Sequence, residues 1–114
     1  MPDCLFCRIV AREIPASVVC ETPTTLAFRD IHPQAPTHVL VIPKQHIASM
    51  NAFDETHADV IVALTRTIQD VARTENLQER GFRVVVNNGK DANQAVAHVH
   101  YHVLAGRKLG WPPG

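Results

Sequence analysis

His98, His100 and His102 are separated by single residues in the run His98-Val99-His100-Tyr101-His102-Val103-Leu104. In an extended strand, side chains at i, i+2 and i+4 share a face. This spacing predicts three imidazoles side by side, with Ala97, Val99, Tyr101 and Val103 turned toward a core. Isolated histidines are usually structural or surface residues, but three in alternation are too dense for that reading. Parallel imidazoles can bind a metal, bind phosphate, or polarise one another for acid–base chemistry. From the residues alone, a three-histidine metal centre and a histidine nucleophile both fit. His38 lies in a second apolar run, just after Asp30, and adds a fourth imidazole if the two strands converge. Asn87 closes a valine-rich run. Its amide suits a sugar or phosphate oxygen, and it equally suits a turn.

Cys4 and Cys7 carry a second chemistry. Two thiolates and two imidazoles complete a tetrahedral zinc site. A redox pair is another reading, and two thiols buried at the start of a short helix are a third. His46 and His98 are among the available imidazoles, but spacing does not select them.

The elements that must position these groups follow from hydrophobic periodicity. Cys4 to Ala11 suits a short helix with Leu5, Phe6, Ile9 and Val10 as its apolar share, bounded by Pro15. Val18 to Glu21, Thr24 to Arg29 and Thr37 to Ile42 read as strands, with Pro43 ending the last. Asp54 reads as the N-cap of one long helix of about 20 residues. Val60, Ile61, Leu64, Ile68 and Val71 form its apolar stripe, and Gly81 closes the helical region. Phe82 to Asn87 is a further strand, Asn88-Gly89 a left-handed turn, and Lys90 to Gln94 an exposed polar stretch. Val96 to Leu104 resumes strand periodicity before an extended Trp111-Pro112-Pro113-Gly114 tail. Five short strands and one long helix within residues 1–114 make a single α+β domain.

The composition bounds the function. Of the 114 residues, 11 are basic and 11 acidic, so the formal charge is zero. That argues against a broad electrostatic grip on nucleic acid, although a local phosphate site remains open. No run approaches the ~18 apolar residues of a membrane span. Three cysteines are too few, and odd in number, for a disulfide frame. The acidic residues in the first 15 positions do not suit a signal peptide. A reducing cytoplasm is the expected location. A chain of 12.6 kDa exposes much of its surface, and a dimer partner helps to close it.

The histidine run resembles the histidine triad of the HIT superfamily, and the wider pattern resembles its Hint branch of nucleoside phosphoramidases. The matching pieces are the CxxC, Asp30-Ile31, Gln34-Ala35-Pro36-Thr37-His38, Val41-Ile42-Pro43-Lys44, His46-Ile47, Asn87 and the Trp111-Pro112-Pro113-Gly114 tail, so the resemblance covers nearly the whole chain. It implies a HIT-like fold, with an antiparallel sheet of about five strands, one long helix and a short N-terminal helix. It also implies a homodimer and cleavage of the P–N bond of nucleoside 5′-phosphoramidates, above all adenosine ones. His100 would be the nucleophile, forming a nucleotidyl-histidine that water hydrolyses to AMP. His102 would contact the phosphate, the backbone carbonyl of His98 would orient His100, and His38 would support the triad. Phe28, Asp30, Ile31, Asn87, Gln94, Ala95 and Trp111 would surround the nucleotide, with Asp30 on the ribose. No metal is implied for catalysis. For the CxxC-bearing members the resemblance implies a structural zinc on Cys4, Cys7, His46 and His98.

Two departures stand out. The stretch Ala92-Asn93-Gln94-Ala95-Val96 occupies the place of a Gly-Gly-Gln-Ser-Val approach, so Ala95 replaces the serine expected near the scissile nitrogen. Losing such a donor costs about 1–3 kcal/mol where nothing replaces it. Ala105 likewise stands where a Gly-Gly pair is common. The competing readings are a dinucleoside polyphosphate hydrolase and a nucleotide-binding interaction protein with weak catalysis. A galactose-1-phosphate uridylyltransferase is disfavoured because His102 is present.

Overall fold

A computed structural model describes residues 3–114. Its centre is an antiparallel five-stranded sheet in the order β1-β2-β3-β5-β4. The strands are β1 (Val18–Glu21), β2 (Thr25–Arg29), β3 (Thr37–Pro43), β4 (Arg83–Val86) and β5 (Tyr101–Ala105). A short helix α1 (Leu5–Val10) precedes β1, and a long helix α2 (Ala58–Thr74) lies between β3 and β4. This is the expected α+β arrangement.

Strand alternation builds a core on each face of the sheet. Ala27, Val39, Val41, Val103 and Ala105 face α2 and pack on Leu64, Ile68, Val71 and Ala72. Leu26, Phe28, Leu40 and Ile42 face the other way and pack on Phe6 of α1, with Ile9 and Val10 at the margin. The register opposes Leu40 to His102 and His38 to Leu104. His38 and His102 are therefore diagonal neighbours on the α1 face, within reach of long side chains.

Several boundaries differ from the sequence expectation, each for a local reason. Asp54 does not cap the long helix directly. Its side chain accepts the Thr56 N–H at 2.8 Å and caps a 3-10 turn, Glu55–His57, from which α2 continues. The helix ends at Thr74, well before Gly81. Asn76 takes φ 58°, and the Asn76 and Leu77 amides bond back to the Arg73 and Ala72 carbonyls. That is a Schellman closure with asparagine in the left-handed position. Phe82 and Asn87 flank β4 rather than belonging to it, Thr24 precedes β2, and Pro43 is the last residue of β3.

The last strand starts at Tyr101 instead of Val96, because the Val99 amide is taken by the Ile47 carbonyl at 2.7 Å. Val99 is buried as expected, but Ala97 is exposed rather than core-facing. Gly106 ends β5 at φ +95°, where a Cβ would come within 2.7 Å of Pro36. This close approach holds the loop before His38 against the end of β5. No helix among the described residues is long and apolar enough to cross a membrane.

Candidate active site and Cys/His centre

His100 is 5% exposed, and its Nδ1 lies 2.8 Å from the His98 backbone oxygen. A carbonyl only accepts, so Nδ1 carries the proton and Nε2 of the neutral ring keeps its lone pair. The neighbouring pair is ordered by the same logic. The Gln34 N–H donates to His38 Nδ1 at 3.0 Å, which leaves the His38 proton on Nε2, 2.8 Å from His102 Nδ1. His102 accepts there, and its own proton sits on Nε2. Burial, then His100 and His38, lowers the His102 pKa from its ordinary 6.5 to about 4. Burial also lowers that of His38, against the pull of Asp30. His102 is therefore a neutral hydrogen-bond donor at pH 7.

Asp30 Oδ1 accepts the His32 N–H at 2.8 Å, and Oδ2 lies 3.4 Å from His38 Nε2. The remaining lone pairs of this carboxylate are free for ligand hydroxyls. His100 and His102 border a largely apolar cavity of about 320 Å³. Phe28, Asp30, Ile31 and Ala95 line it too, as the resemblance implies. Phe28 is buried, whereas Ile31 is 86% exposed at the rim.

Three expected nucleotide contacts are not in that lining. Asn87 is half-buried just beyond β4. Gln94 spends its amide within the chain, accepting from the Gly89 N–H and donating to the Ala48 and Val96 carbonyls. It shapes the loop before the triad. Asn93, in that loop, takes φ 61°, a conformation asparagine tolerates better than most residues. Trp111 is 81% exposed and lies under the Arg83 guanidinium, which also donates to the Gly110 carbonyl at 2.8 Å.

One wall of the cavity escaped the sequence reading. Leu5, Phe6 and Ile9 of α1 line it. The Phe6 ring sets itself edge-to-face against Phe28 at 5.6 Å and His100 at 5.1 Å between centroids. The apolar share of the short helix was the available signal. Its destination, next to residues more than 90 positions away, was not.

The second cluster gathers Cys4, Cys7, His46 and His98, whose donor atoms all lie within 4.8 Å of one another. Cys4 Sγ is 3.3 Å from His98 Nδ1, and Cys7 Sγ is 3.3 Å from His46 Nδ1 and 3.5 Å from His98 Nδ1. Zn–S near 2.3 Å and Zn–N near 2.0 Å in a tetrahedron require S···N edges of roughly 3.5 Å. His98 Nε2 lies 2.8 Å from the Pro43 carbonyl, which places its proton there and aims the Nδ1 lone pair at the sulfurs. The Cys7 amide donates to Cys4 Sγ at 3.4 Å, a contact that suits a thiolate. Burial and the adjacent Cys4 raise the Cys7 pKa, so an ion must displace a firmly held proton. Donor set, spacing and tautomer fit zinc.

The chain is similar to known proteins over nearly its whole length. The HIT domain family model matches residues 11–109. A 14 kDa zinc-binding protein of Brassica juncea is 45% identical over 114 residues, covering 98% of this chain and 100% of the relative. Adenylylsulfatase HINT1 of Arabidopsis thaliana is 44% identical over 112 residues, covering 96% of this chain and 76% of the relative. The crystal structure of a HIT family hydrolase from Legionella pneumophila superposes with a TM-score of 0.96 at 46% identity, covering 98% of this chain and 100% of that one.

Proposed function

The chain belongs to the HIT domain family, and from that membership we propose that it is a Hint-like nucleotide hydrolase that cleaves nucleoside, above all adenosine, 5′-phosphoramidates. The observation that carries this reading is the His100 ring, whose Nδ1–H is tied to the His98 carbonyl while its edge faces the cavity. The Nε2 lone pair attacks the α-phosphorus, the P–N bond breaks, and the amine departs with a proton taken from water. A nucleotidyl-His100 intermediate results. Water then attacks phosphorus, releasing AMP and free His100. His102 donates its Nε2–H to a phosphate oxygen as charge shifts in the transition state. Asp30 accepts from ribose hydroxyls, and Phe28, Ile31 and Phe6 enclose the base.

The direct experiment is turnover of an adenosine phosphoramidate by wild type and His100→Ala, with mass spectrometry of the quenched reaction. A nucleotidyl adduct lost in His100→Ala supports the assignment. Near-wild-type turnover by that variant refutes nucleophilic catalysis by His100. Cleavage of a diadenosine polyphosphate but not the phosphoramidate would replace the substrate class, and tight AMP binding with neither activity would favour a binding module.

Ala95 favours a second reading. It has no hydroxyl for a departing nitrogen, but a leaving group that departs as a stable anion needs no proton. Adenylyl sulfate is such a substrate, and the Arabidopsis relative is named for it.

Cys4, Cys7, His46 and His98 are the residues that would hold zinc, and a bound ion would supply folding free energy there by clamping α1 to the start of the triad. Homodimerisation is supported by apolar surface around the exposed edge of β4, where Phe82 and Val84 are 39% and 40% exposed, and by Val62 on α2 at 52%. Trp111, away from its own cavity, then reaches the partner's site and contacts the leaving group. The zero net charge supports small nucleotides rather than nucleic acid as ligands, and the three free cysteines are consistent with the cytoplasm.

A further inference from the structure

The Cys/His centre and the nucleotide cavity share structure. His98 belongs to both, since its Nδ1 faces the two sulfurs while its backbone oxygen holds the His100 Nδ1–H at 2.8 Å. Phe6 lies between the two cysteines in sequence and is 4% exposed. Its ring meets His98 edge-to-face at 5.8 Å as well as His100 at 5.1 Å. The helix that carries it has six residues, too few to hold a shape alone in water. Its position is set by what pins it, namely its apolar side chains and the two sulfurs.

We propose that the Cys/His centre controls the nucleotide site: an ion on Cys4, Cys7, His46 and His98 fixes α1 and Phe6 as the cavity wall and as the packing surface of His100, so nucleotide affinity depends on occupancy of the centre. The proposal rests on the reading of that centre as a zinc site. Phe6 is then the positioning residue through which the centre acts on His100. A hollow of about 490 Å³ beside the nucleotide cavity, sharing Leu5, Ala95 and Val96 with it, has Cys4 and His46 in its lining and opens the centre to solvent. A chelator reaches the ion from that side and is removed by exchange before AMP is added.

The test uses the full chain, zinc-loaded and chelator-stripped, as wild type and as Phe6→Leu, which keeps an apolar side chain but removes the ring edges. Zinc is measured by elemental analysis, and AMP affinity by calorimetry at a temperature where circular dichroism shows each form folded. Stripping wild type weakens AMP binding about threefold to tenfold, the range of one edge-to-face aromatic contact. Loaded Phe6→Leu retains zinc and shows a similar loss. Stripping Phe6→Leu adds little, because both changes act through one contact. Returned zinc restores the wild type alone.

Losses that multiply in the stripped variant overturn the coupling, as does unchanged AMP affinity in stripped, folded wild type. Zinc uptake below about 0.1 per chain after thiol reduction, where a tight four-ligand site takes up one, refutes the zinc reading and the coupling with it, so the metal assay separates the two failures. If the stripped chain unfolds, cadmium replaces zinc. The larger ion shifts AMP affinity in wild type and not in Phe6→Leu, and an equal response in both overturns the proposal.

Discussion

Replacing His38 tests the proton arrangement at the triad. The Gln34 amide fills His38 Nδ1 at 3.0 Å and leaves the Nε2–H to serve His102 Nδ1 at 2.8 Å. His38→Leu removes that donor and leaves a half-buried acceptor on His102 without its partner. Such a loss costs about 1–3 kcal/mol. The missing bond is the one that keeps the His102 proton on the nitrogen facing substrate, so the cost falls on the transition state and lowers kcat by roughly 5- to 150-fold. In the proposed complex the apolar cavity and Asp30 hold the nucleoside whatever the state of His102, so AMP affinity falls by less than kcat does. His38→Gln places an amide N–H near the lost Nε2 and recovers part of the rate. Single-turnover formation of the nucleotidyl adduct, steady-state kinetics with an adenosine phosphoramidate, and AMP calorimetry make the measurement. A folded His38→Leu protein with kcat within twofold of wild type refutes the reasoning. Equal losses in the Leu and Gln variants refute the donor role.

Stability should depend on acid in a defined window. His102 has its folded pKa lowered from 6.5 to about 4, so the unfolded chain takes up that proton first. Its contribution is fully present above pH 6.5, falls as pH drops toward 4, and changes no further below; denaturant midpoints that stay level across that window contradict it. Val84→Glu should convert a dimer of about twice 12.6 kDa to monomer in sedimentation, by burying an unpaired charge, and a wild-type chain that is already monomeric at micromolar concentration rules out the assembly. Ala95→Ser should raise phosphoramidate turnover about fivefold or more by restoring a donor, while leaving adenylyl sulfate turnover within about twofold, and equal gains on both substrates refute a role at the departing nitrogen.

What the sequence shows well is whatever has a short period. The β-branched apolar run within Thr37–Pro43 predicts a strand, and the helical spacing of Leu64, Ile68 and Val71 predicts the helix face that meets the sheet. The triad is legible for the same reason. Competition between backbone partners is not legible. Nothing in Val96-Ala97-His98-Val99 reveals that Ile47 takes the Val99 amide and delays β5. Nor does the polarity of Gln94 reveal that its amide is consumed by three backbone groups. Convergence in space is equally hidden. Four candidate zinc ligands spread over 95 positions are gathered only once α1, the end of β3 and the start of the triad meet, and spacing alone could not choose His46 and His98 from seven histidines.

The chemistry assigned to four similar rings is decided by the backbone around them rather than by the rings. His98 gives its Nε2 proton to the carbonyl of Pro43, the last residue of β3, and so offers Nδ1 to the thiols. His100 gives its Nδ1 proton to the His98 carbonyl and so offers Nε2 to the cavity. His38 accepts the Gln34 N–H at Nδ1 and so donates from Nε2, which makes His102 a donor in turn. The proposed ligand, nucleophile and donor arise from one residue type because His98, His100 and His38 each meet a backbone group that only accepts or only donates, and His102 follows His38. A change that shifts the end of β3, the Gln34 loop or the residues just before β5 would therefore exchange these roles without altering a single histidine.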